Sequence, residues 1–453
     1  MTTPLGALVT LALTLLVFSL SRRGAAVVLI ATVCYMTEGQ PLELAGFHFT
    51  AIRFVLLAGL VRVLARSENR TLRFNPIDRA LVYFAIACLV IGTIRVGTLA
   101  ELVYQVGILY NELLSYFLFR ALIRDTRDFF KVLKYVAYLL VPFALLLVVE
   151  SSSHRNFFAV FGGVSEIDML RDGHVRSQGA FRSPITAGSF GATLGVLFAT
   201  MIFAGKDRRV AVVGLVASIL AMMFTHSSGP LLGFALGVLA LCCWPIRRHT
   251  GLIRWGIVVA IVGLQLSMKV PVWFLLGRIS DVVGGGGYHR AYLIDQFVRH
   301  FSDWWMAGTD NTIDWMPTQL DSGGSDLTNK FVSDGVNGGL IGLGLSILLL
   351  VRCFRRIGEA MSWSRRMDPS MEKLDWGLGA TLVATIGIFF SVTYFDQTYV
   401  LWSFLLAAVA AIELPKRLAR KLGPASRQSS VGDLIPTKEN LAPALNAHSH
   451  LSV

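Results

Sequence analysis

Apolar runs close to 20 residues long recur along almost the whole chain, and this pattern constrains the fold more than any other feature. A helical run of that length matches the hydrocarbon core of a bilayer. Because backbone N–H and C=O groups find no water in lipid, each such run is expected to be a helix. We place the runs at about residues 4–20, 24–42, 50–66, 78–96, 100–123, 130–150, 183–204, 209–226, 229–246, 252–270, 331–352, 376–394 and 397–413. The sequence therefore predicts an all-α, polytopic transmembrane helix bundle of about 13 spans, within a range of 12–14.

The composition excludes most soluble classes of protein. Of the 453 residues, 54% are apolar and only 15% are charged, whereas an average soluble domain is about 25% charged. A net charge of +12 would suggest nucleic-acid binding in a soluble protein. Here the basic residues are scattered between apolar runs, so we expect no nucleic-acid partner. The five cysteines form no CxxC pair and no metal-ligand spacing, so neither a disulfide framework nor a metal site is expected.

Charge alternates between successive connections and predicts which side of the membrane each occupies. Basic residues concentrate in every second connection and in the C-terminal part, which the positive-inside rule places in the cytoplasm. Two long loops, at about 150–182 and 270–329, then face the periplasm. We interpret residues 1–422 as one transmembrane domain. Residues 423–453 are polar and lack periodicity, so they are expected to form a disordered cytoplasmic tail.

The first long loop is rich in arginine, the side chain best suited to bidentate contact with phosphate. Several arginines at a membrane surface could hold a lipid-linked diphosphate, or they could pair with nearby acids or lipid headgroups. Two of them frame the Gly179 turn just before Pro184, which is predicted to open a helix whose free N–H groups favour anions. The arginines of this loop are Arg155, Arg171, Arg176 and Arg182.

The second long loop contains a glycine joint, Gly284–Gly287, followed by a segment with helical apolar spacing. The spacing predicts an amphipathic helix over 288–305 that lies on the membrane, with Trp304 and Trp305 at the interface. Its polar face either is simply solvated or contributes to a site, and Arg290 is the best placed because it begins the helix beside the joint. That face carries His289, Arg290, Asp295, Arg299 and His300.

Acidic residues near the ends of the spans supply candidates for a base. Asp326, just before the eleventh span, either caps that helix or acts as a general base for a sugar hydroxyl. Glu150 ends the sixth span beside the arginine-rich loop, and Asp396 lies in a short outer connection. Arg120 is an ionisable residue within a span, which makes it a functional candidate, although it is near enough to the inner end to extend to the membrane surface.

Several strings, in the same order, resemble the O-antigen ligase/polymerase superfamily of bacterial inner-membrane proteins. The most specific is RSQGAFRSPITAGSF, which is similar to the family pattern R-x-x-G-x-F-x-x-P-x-x-x-G. The others are SYFLFRALIRD, VVESSSHRNFF, THSSGPLLGFALG, YHRAYLID and SDLTNKFVSDGVNGGLIGL. The resemblance covers about residues 78–415.

The resemblance implies a GT-C-like, metal-independent membrane glycosyltransferase without a cofactor. Arg176 matches the family-like arginine of the first loop and Arg290 that of the second, and both would act on the donor diphosphate. Ligases of the superfamily often have His-Asn where this chain has Thr328-Asn329, which favours the polymerase branch and leaves Asp326 as the base. Arg155 and Arg182 are further diphosphate-binding candidates, and the supporting candidates are Glu150, His289, Asn329, Asp396 and Arg120.

On this reading the protein polymerises undecaprenyl-diphosphate-linked oligosaccharide repeat units at the periplasmic face of the inner membrane, in exopolysaccharide or O-antigen biosynthesis. A flippase and a chain-length regulator are the protein partners that the resemblance implies. One alternative is a ligase that transfers glycan to lipid A core or protein. A transporter or flippase of lipid-linked sugars is the alternative from another class, although arginine and aspartate concentrate in the loops and not at the midplane. The sugars, the linkage and the oligomeric state stay open.

Overall fold

The structure is a computed structural model that describes residues 3–39, 42–44, 47–167, 169–171, 173–283, 286–316 and 325–412. Over these residues the chain is mostly helical, with two short antiparallel hairpins. One pairs β1 (Leu42–Leu44) with β2 (Phe47–Phe49), and the other pairs β3 (Met169–Arg171) with β4 (His174–Arg176). The predicted cytoplasmic tail, residues 423–453, lies outside the described residues.

The helices follow one another with short connections except at the two long loops. In the described residues they are α1 (Pro4–Ser19), α2 (Arg22–Tyr35), α3 (Ala51–Ala65), α4 (Pro76–Val96), α5 (Leu99–Leu109), α6 (Ser115–Leu122), α7 (Thr126–Ser153), α8 (Pro184–Ala204), α9 (Arg208–Met223), α10 (Ser228–Cys242), α11 (Thr250–Ser267), α12 (Leu275–Val283), α13 (Gly287–Arg299), α14 (Phe301–Trp304), α15 (Lys330–Met367), α16 (Pro369–Phe389) and α17 (Thr398–Ala410). A π-helical turn, Tyr110–Leu114, joins α5 to α6.

Each of the predicted apolar runs coincides with a helix of the structure, which confirms the helical class. Within the described residues, six helical segments are long and apolar enough to cross a membrane. They are Pro76–Val96, Leu99–Leu122, Thr126–Ser153, Pro184–Ala204, Trp244–Ser267 and Lys330–Met367. Shorter apolar helices include α1, α10 and α17. The total of thirteen spans and their sidedness stay predictions.

Local chemistry explains where helices begin and end. Asn75 caps α4 by accepting the N–H of Asp78, whose carboxylate in turn accepts the Asn75 N–H. Pro184 occupies the first turn of α8, as the sequence predicted, and Gly205 ends that helix at φ 72°. The second apolar run was expected to reach residue 42, but α2 ends at Tyr35 because the polar TEG segment that follows cannot continue an apolar span.

α8 is the most enclosed of the membrane-length helices and packs against α9, α10 and α16. Its small residues allow close backbone approach, the usual device of membrane helices. A Cβ placed on Gly191 would lie 2.9 Å from the Ser218 carbonyl oxygen of α9. The bundle therefore holds the start of α8, and the loop that precedes it, in a fixed position.

We call the end of the bundle that carries the described parts of residues 150–182 and 270–329 the loop end. Contacts between distant segments meet there: the Arg182 N–H donates to the Asp396 carboxylate (2.8 Å), and the Thr393 hydroxyl donates to the Leu327 carbonyl. The predicted basic connections lie at the opposite end, where Arg22 pairs with Asp128, Lys134 with Asp207 and Arg247 with Glu372.

Helix α15 is interrupted at the loop end. Gly339 has φ 60° and ψ −160°, and a Cβ on it would lie 2.7 Å from the Met306 carbonyl oxygen. The Val336 carbonyl accepts hydrogen bonds from the Thr309 N–H (2.8 Å) and the Arg95 guanidinium (3.2 Å). The break thus joins α15 to the part of the second long loop that directly follows α14, since only glycine fits so close a contact.

Candidate functional site

Residues 176–183, which we call the arginine loop, are anchored by buried hydrogen bonds. The Glu150 carboxylate at the end of α7 accepts the N–H groups of Gln178 (2.6 Å) and Gly179 (3.0 Å). The Asn156 amide donates to the Gly179 carbonyl oxygen (2.9 Å). Glu150 is only 1% exposed. This sequence-predicted candidate therefore supports the arginine loop from within the protein.

Gly179 is required at the turn of the arginine loop. Its φ of 60° lies in the left-handed region, which side chains with a Cβ rarely adopt. An added Cβ would also lie 3.0 Å from Leu147 Cδ2 and 3.1 Å from Phe143 Cε2. The turn is therefore fixed both by backbone conformation and by packing on α7.

Arg176 lies at the end of β4 and reaches the connection between α9 and α10. Its guanidinium donates from Nε to the Thr225 carbonyl oxygen (3.3 Å) and from Nη2 to Ser227 Oγ (2.7 Å). The rings of His174 and His226 stack beside it, with centroids 4.9 Å apart. Burial lowers the pKa of His226, and so do the neighbouring His174 and Arg176, as expected next to cationic groups.

Arg290 lies in the first turn of α13, on the other side of the same connection. It lines a cavity together with Ser228 at the start of α10 and Ser391 after α16. A Cβ placed on Gly229 would lie 3.4 Å from Arg290 Nη2. The second family-like arginine therefore approaches the residues directly after those that Arg176 contacts.

Both arginines thus meet at the N-terminus of α10, and we call Arg176, Arg290 and residues 227–229 the arginine site. The first N–H groups of a helix lack intrahelical partners and carry partial positive charge. Over the described residues, the Ser227 side chain makes no capping hydrogen bond to α10. Two guanidinium groups at a helix N-terminus form an environment that favours a phosphate or diphosphate.

The cavity beside Arg290 continues from this polar region into an apolar one. From Ser228 to Leu236, α10 advances about 12 Å along its axis and away from the loop end. The rest of the lining is largely apolar: Leu232 and Leu236 lie further along α10, and the other large apolar side chains are Leu276, Ile279 and Phe390. The cavity therefore joins a cationic region to a surface suited to a hydrocarbon chain.

The other arginines of the first loop have different surroundings. Arg155 forms an exposed ion pair with Glu166, which matches the alternative that these arginines pair with local acids. The Arg182 side chain is exposed, and its backbone N–H is held by Asp396. The side chain of Arg171 lies outside the described residues. Of the three whose side chains are described, the structure brings only Arg176 to the site that Arg290 reaches.

His289 and Asp326 are brought together from opposite ends of the second long loop. The half-buried His289 ring hydrogen-bonds to the Asp326 backbone, and Asp326 itself is more exposed. Burial lowers the pKa of His289, while desolvation by nearby protein atoms raises the pKa of Asp326. Asp326 does not cap α15. That role belongs to Asn329, whose side chain accepts the N–H groups of Phe331 and Val332.

The amphipathic helix predicted over 288–305 is shorter than expected. α13 ends at Arg299, and the short α14 follows after His300. The sequence placed Asp295 on the polar face of this helix and left open whether that face is solvated. The structure shows that Asp295 is not solvated: it is 6% exposed and accepts hydrogen bonds from Trp273 Nε1 (3.3 Å) and Arg299 Nε (2.6 Å). The helix lies against the protein with a buried face that the sequence pattern did not reveal.

A second polar cluster lies at the start of α17. The Asp396 carboxylate accepts the N–H groups of Arg182 and Gln397, and its side chain also hydrogen-bonds to Glu38, which follows α2. We call Glu38 and Asp396 the acid pair. Burial, followed by the neighbouring Asp396, raises the pKa of Glu38 to about 8. Burial raises the pKa of Asp396 to about 6, although the hydrogen bonds from Arg182 and Gln397 oppose this.

Arg120 is placed far from these groups. It pairs with Asp78 (3.1 Å), and the Tyr116 hydroxyl bonds to the same carboxylate. Both Arg120 and Asp78 are buried. They lie at the basic end of the bundle, separated from Glu150 by the length of α7, which is about 40 Å for 28 residues. Arg120 thus belongs to a structural ion pair with Asp78 and is not part of the site at the loop end.

Glu38 and Ser227 were not among the residues predicted from the sequence. Glu38 lies within the apolar run placed at about 24–42, where a carboxyl is a candidate for a functional residue, but its partner Asp396 is near the other end of the chain. Ser227 belongs to the string THSSGPLLGFALG, which was noted only as part of the resemblance. Over the described residues, no group of three or more His, Cys, Asp or Glu side chains could hold a metal ion.

No protein-family model matches this chain, and no curated protein is significantly similar to it. The superfamily resemblance therefore rests on the ordered strings of the sequence alone.

Proposed function

We propose that this protein is a membrane glycosyltransferase that polymerises undecaprenyl-diphosphate-linked oligosaccharide repeat units. Its fold on this proposal is a GT-C-like bundle of about 13 spans, a count taken from the apolar runs. The loop end faces the periplasm and the C-terminus faces the cytoplasm of a bacterial inner membrane. A flippase that delivers the repeat units and a chain-length regulator are its proposed partners.

One observation carries the proposal: a cavity that joins an arginine at a helix N-terminus to an apolar wall. A polyprenyl diphosphate has this same division between a doubly charged head and a hydrocarbon chain. Arg290 and Ser228 would contact the head, with Arg176 on the other side of the α10 N-terminus. Leu232 and Leu236 lie where the first isoprene units would follow. The chemistry of the donor and the chemistry of the cavity therefore agree.

In the proposed reaction, the charge that most needs stabilisation develops at this site. The acceptor hydroxyl attacks the anomeric carbon of the donor, and the bond from that carbon to the diphosphate oxygen breaks. Negative charge then develops on the departing diphosphate. Guanidinium groups and helix N–H groups that are already oriented stabilise this charge without reorganisation at the moment of reaction. Because Ser227 and Thr225 hold Arg176 in place, it meets this requirement.

The acceptor hydroxyl also needs a base, and the sequence suggested Asp326. Its carboxyl lies at the loop end beside His289, which keeps it a candidate on this proposal. General-base assistance contributes about 10²–10⁴-fold to such reactions. The diphosphate site, and not the identity of the base, is what the proposal depends on.

The test is genetic and biochemical together. A strain that lacks the gene is complemented with the wild-type protein, Arg176→Ala or Arg290→Ala, and its lipid-linked and surface glycans are separated by size. We expect single repeat units in the deletion strain and in both variants, with long polymer restored only by the wild type. Glu359→Gln, in an exposed ion pair at the opposite end, is the control and should restore polymer.

Two results would contradict the proposal. Long polymer that accumulates on its lipid carrier but never reaches its final acceptor would indicate a ligase. Unchanged glycans in the deletion strain would contradict a glycosyltransferase and favour a transporter of lipid-linked sugars.

A lysine at position 176 keeps the positive charge of Arg176 but loses its bidentate geometry. Arg176→Lys is therefore expected to restore little polymer.

A further inference from the structure

Two carboxyl groups from opposite ends of the chain share a hydrogen bond at the loop end, and such an arrangement needs an explanation. Like charges repel, so a buried carboxyl pair is stable only when it holds a proton between its members. Asp396 is 8% exposed and Glu38 is half-buried. The backbone of Asp396 has φ 63°, a left-handed conformation that is unusual for a residue other than glycine. Strain and like-charge pairing together are typical of functional sites.

Every element around the acid pair contributes a polar or charged group. Arg53 of α3 and Arg182 of the arginine loop act electrostatically on Glu38. From α8, the Thr186 hydroxyl donates to the Asp396 carboxylate (3.3 Å). The π-helical turn adds the Tyr110 hydroxyl, which donates to the Arg53 carbonyl oxygen (3.0 Å). With one proton held by the pair, the two arginines more than balance its remaining negative charge.

The acid pair adjoins buried polar atoms that lack partners. The Tyr399 hydroxyl interacts electrostatically with both members of the pair, yet it makes no hydrogen bond within the described residues. Gln397 Oε1, next to Asp396 in the chain, is likewise buried and without a partner there. Buried polar groups are normally satisfied, so these two atoms indicate that a hydroxyl-bearing molecule completes the cluster.

We propose that the acid pair, and not Asp326, takes the proton of the acceptor sugar's hydroxyl. This inference rests on the glycosyl transfer proposed above and names the group that activates its acceptor. Glu38 is the member that contacts the sugar, because it is the more exposed of the two. Asp396 lies behind it and receives the proton that Glu38 passes on.

The acid pair gains one proton during the transfer. Before reaction the pair carries one proton, on Glu38, which donates it to the Asp396 carboxylate. As the acceptor oxygen bonds to the anomeric carbon, its proton moves to the free oxygen of Glu38, and the proton already on Glu38 moves to Asp396. The pair ends with two protons and no charge. The electrons of the broken carbon–oxygen bond leave with the diphosphate.

The position of the acid pair fits this role. Ser391 lines the cavity beside Arg290, and Asp396 follows five residues later, so the two are at most about 18 Å apart. The Arg182 N–H joins the arginine loop to Asp396 directly (2.8 Å). Asp326, in contrast, contacts His289 through its backbone, and its exposed carboxyl lacks a comparable enclosure.

The experiment measures chain extension by the purified full-length protein in detergent. Its substrate is the lipid-linked oligosaccharide extracted from the deletion strain. Binding of undecaprenyl diphosphate is measured separately, by protection against thermal unfolding. Glu38→Gln keeps a hydrogen bond to Asp396, and Asp396→Asn keeps an acceptor for the Arg182 N–H, so both variants are expected to fold and to bind the diphosphate.

We expect Glu38→Gln and Asp396→Asn each to lower the extension rate by about 10²–10⁴-fold, the usual contribution of a general base. Glu359→Gln is the matched control and should keep the wild-type rate. In the wild type the rate should fall as the pH drops below about 6, because protonation of Asp396 leaves the pair unable to accept a proton. Glu38→Asp should recover part of the rate.

Three outcomes would overturn the inference. A wild-type rate in Glu38→Gln, together with a large loss in Asp326→Asn, would return the role to Asp326 and leave the proposed function intact. Loss of diphosphate binding in both acid-pair variants would make the pair structural. Full extension by Arg176→Ala and Arg290→Ala in the same assay would instead contradict the proposed function itself.

Discussion

Replacing Glu150 with alanine is expected to loosen the arginine loop without removing a catalytic group. The carboxylate is 1% exposed, and it accepts the N–H groups of Gln178 and Gly179. Alanine leaves both donors buried and unsatisfied. Because each unsatisfied buried donor costs about 1–3 kcal/mol, the expected loss is about 2–6 kcal/mol of stability.

Replacing Glu150 with glutamine is expected to cost less stability than replacing it with alanine, and the hydrogen-bond distances show why. Glu150 Oε1 accepts both N–H groups, at 2.6 Å and 3.2 Å, whereas Oε2 accepts only that of Gly179, at 3.0 Å. A glutamine carbonyl in the place of Oε1 keeps the bond to Gln178 and the longer bond to Gly179. The glutamine NH2 group takes the place of Oε2 and, as a donor, cannot accept the Gly179 N–H, so we expect a cost of about 1–3 kcal/mol, roughly half that of alanine.

The loss of stability should appear in ligand binding because Arg176 lies two residues before Gln178. In Glu150→Ala we expect weaker binding of undecaprenyl diphosphate and a matching loss of chain extension, with Glu150→Gln between alanine and the wild type. The measurements are the apparent unfolding midpoint at a fixed scan rate in detergent, since membrane proteins often unfold irreversibly, and protection by the diphosphate. Glu359→Ala, in an exposed pair, is the control.

The result that would refute this reasoning is specific. If Glu150 were the catalytic base, Glu150→Gln would lose about 10²–10⁴-fold in rate while its unfolding midpoint and diphosphate binding stayed at the wild-type values. A Glu150→Gln variant that is inactive but as stable as the wild type would therefore show that Glu150 acts in the reaction and is not only structural.

Three further predictions concern stability. Arg120→Ala leaves the Asp78 carboxylate buried and unpaired, so we expect a loss of about 3–5 kcal/mol, seen as a lower unfolding midpoint; an unchanged midpoint would refute the structural role. Arg155→Ala removes an exposed pair and should change stability by less than about 0.5 kcal/mol with unchanged diphosphate binding; weaker binding would restore Arg155 to the donor site. In the acid pair the folded-state pKa values are raised to about 8 for Glu38 and about 6 for Asp396, so its contribution to stability is complete below about pH 4 and is lost as the pH rises through these values. The unfolding midpoint should therefore decline from pH 4 to pH 9 more in the wild type than in Glu38→Gln, and parallel declines would contradict the pairing.

The helices could be predicted from the sequence because hydropathy and the backbone's need for hydrogen bonds act locally. The predicted helix boundaries are wrong mainly at helix ends, where polar residues are part of the helix. α16 begins at Pro369, earlier than the apolar run, because Asp368 caps it and because Glu372 and Asp375 of its first turns are buried against neighbours. Hydropathy assigns such residues to a loop, since it cannot recognise a buried carboxyl that has partners.

The residue types of the site could be predicted from the sequence, but which of these residues lie close together could not. Arg176 and Arg290 were selected separately, and only the packing of α10 brings them to one helix N-terminus. Asp396 was identified without Glu38, because two carboxyls far apart in sequence give no local pattern. The sequence left two roles open for Asp326, the N-cap of α15 and the general base. The structure shows that the Asn329 side chain caps this helix.

Asp396 contacts both the arginine loop and Glu38, and this dual contact explains why the arginine site and the acid pair are expected to act together. Its carboxylate holds the Arg182 N–H at the end of the arginine loop, and its side chain also hydrogen-bonds to Glu38. Protonation of Asp396 at the end of proton transfer weakens it as an acceptor for the Arg182 N–H. The arginine loop would then be held less firmly at the moment when the diphosphate must leave. Glu38→Gln interrupts the proton transfer and leaves Asp396 ionised and bonded to the Arg182 N–H, so this variant should lose acceptor activation and should also release undecaprenyl diphosphate more slowly than the wild type.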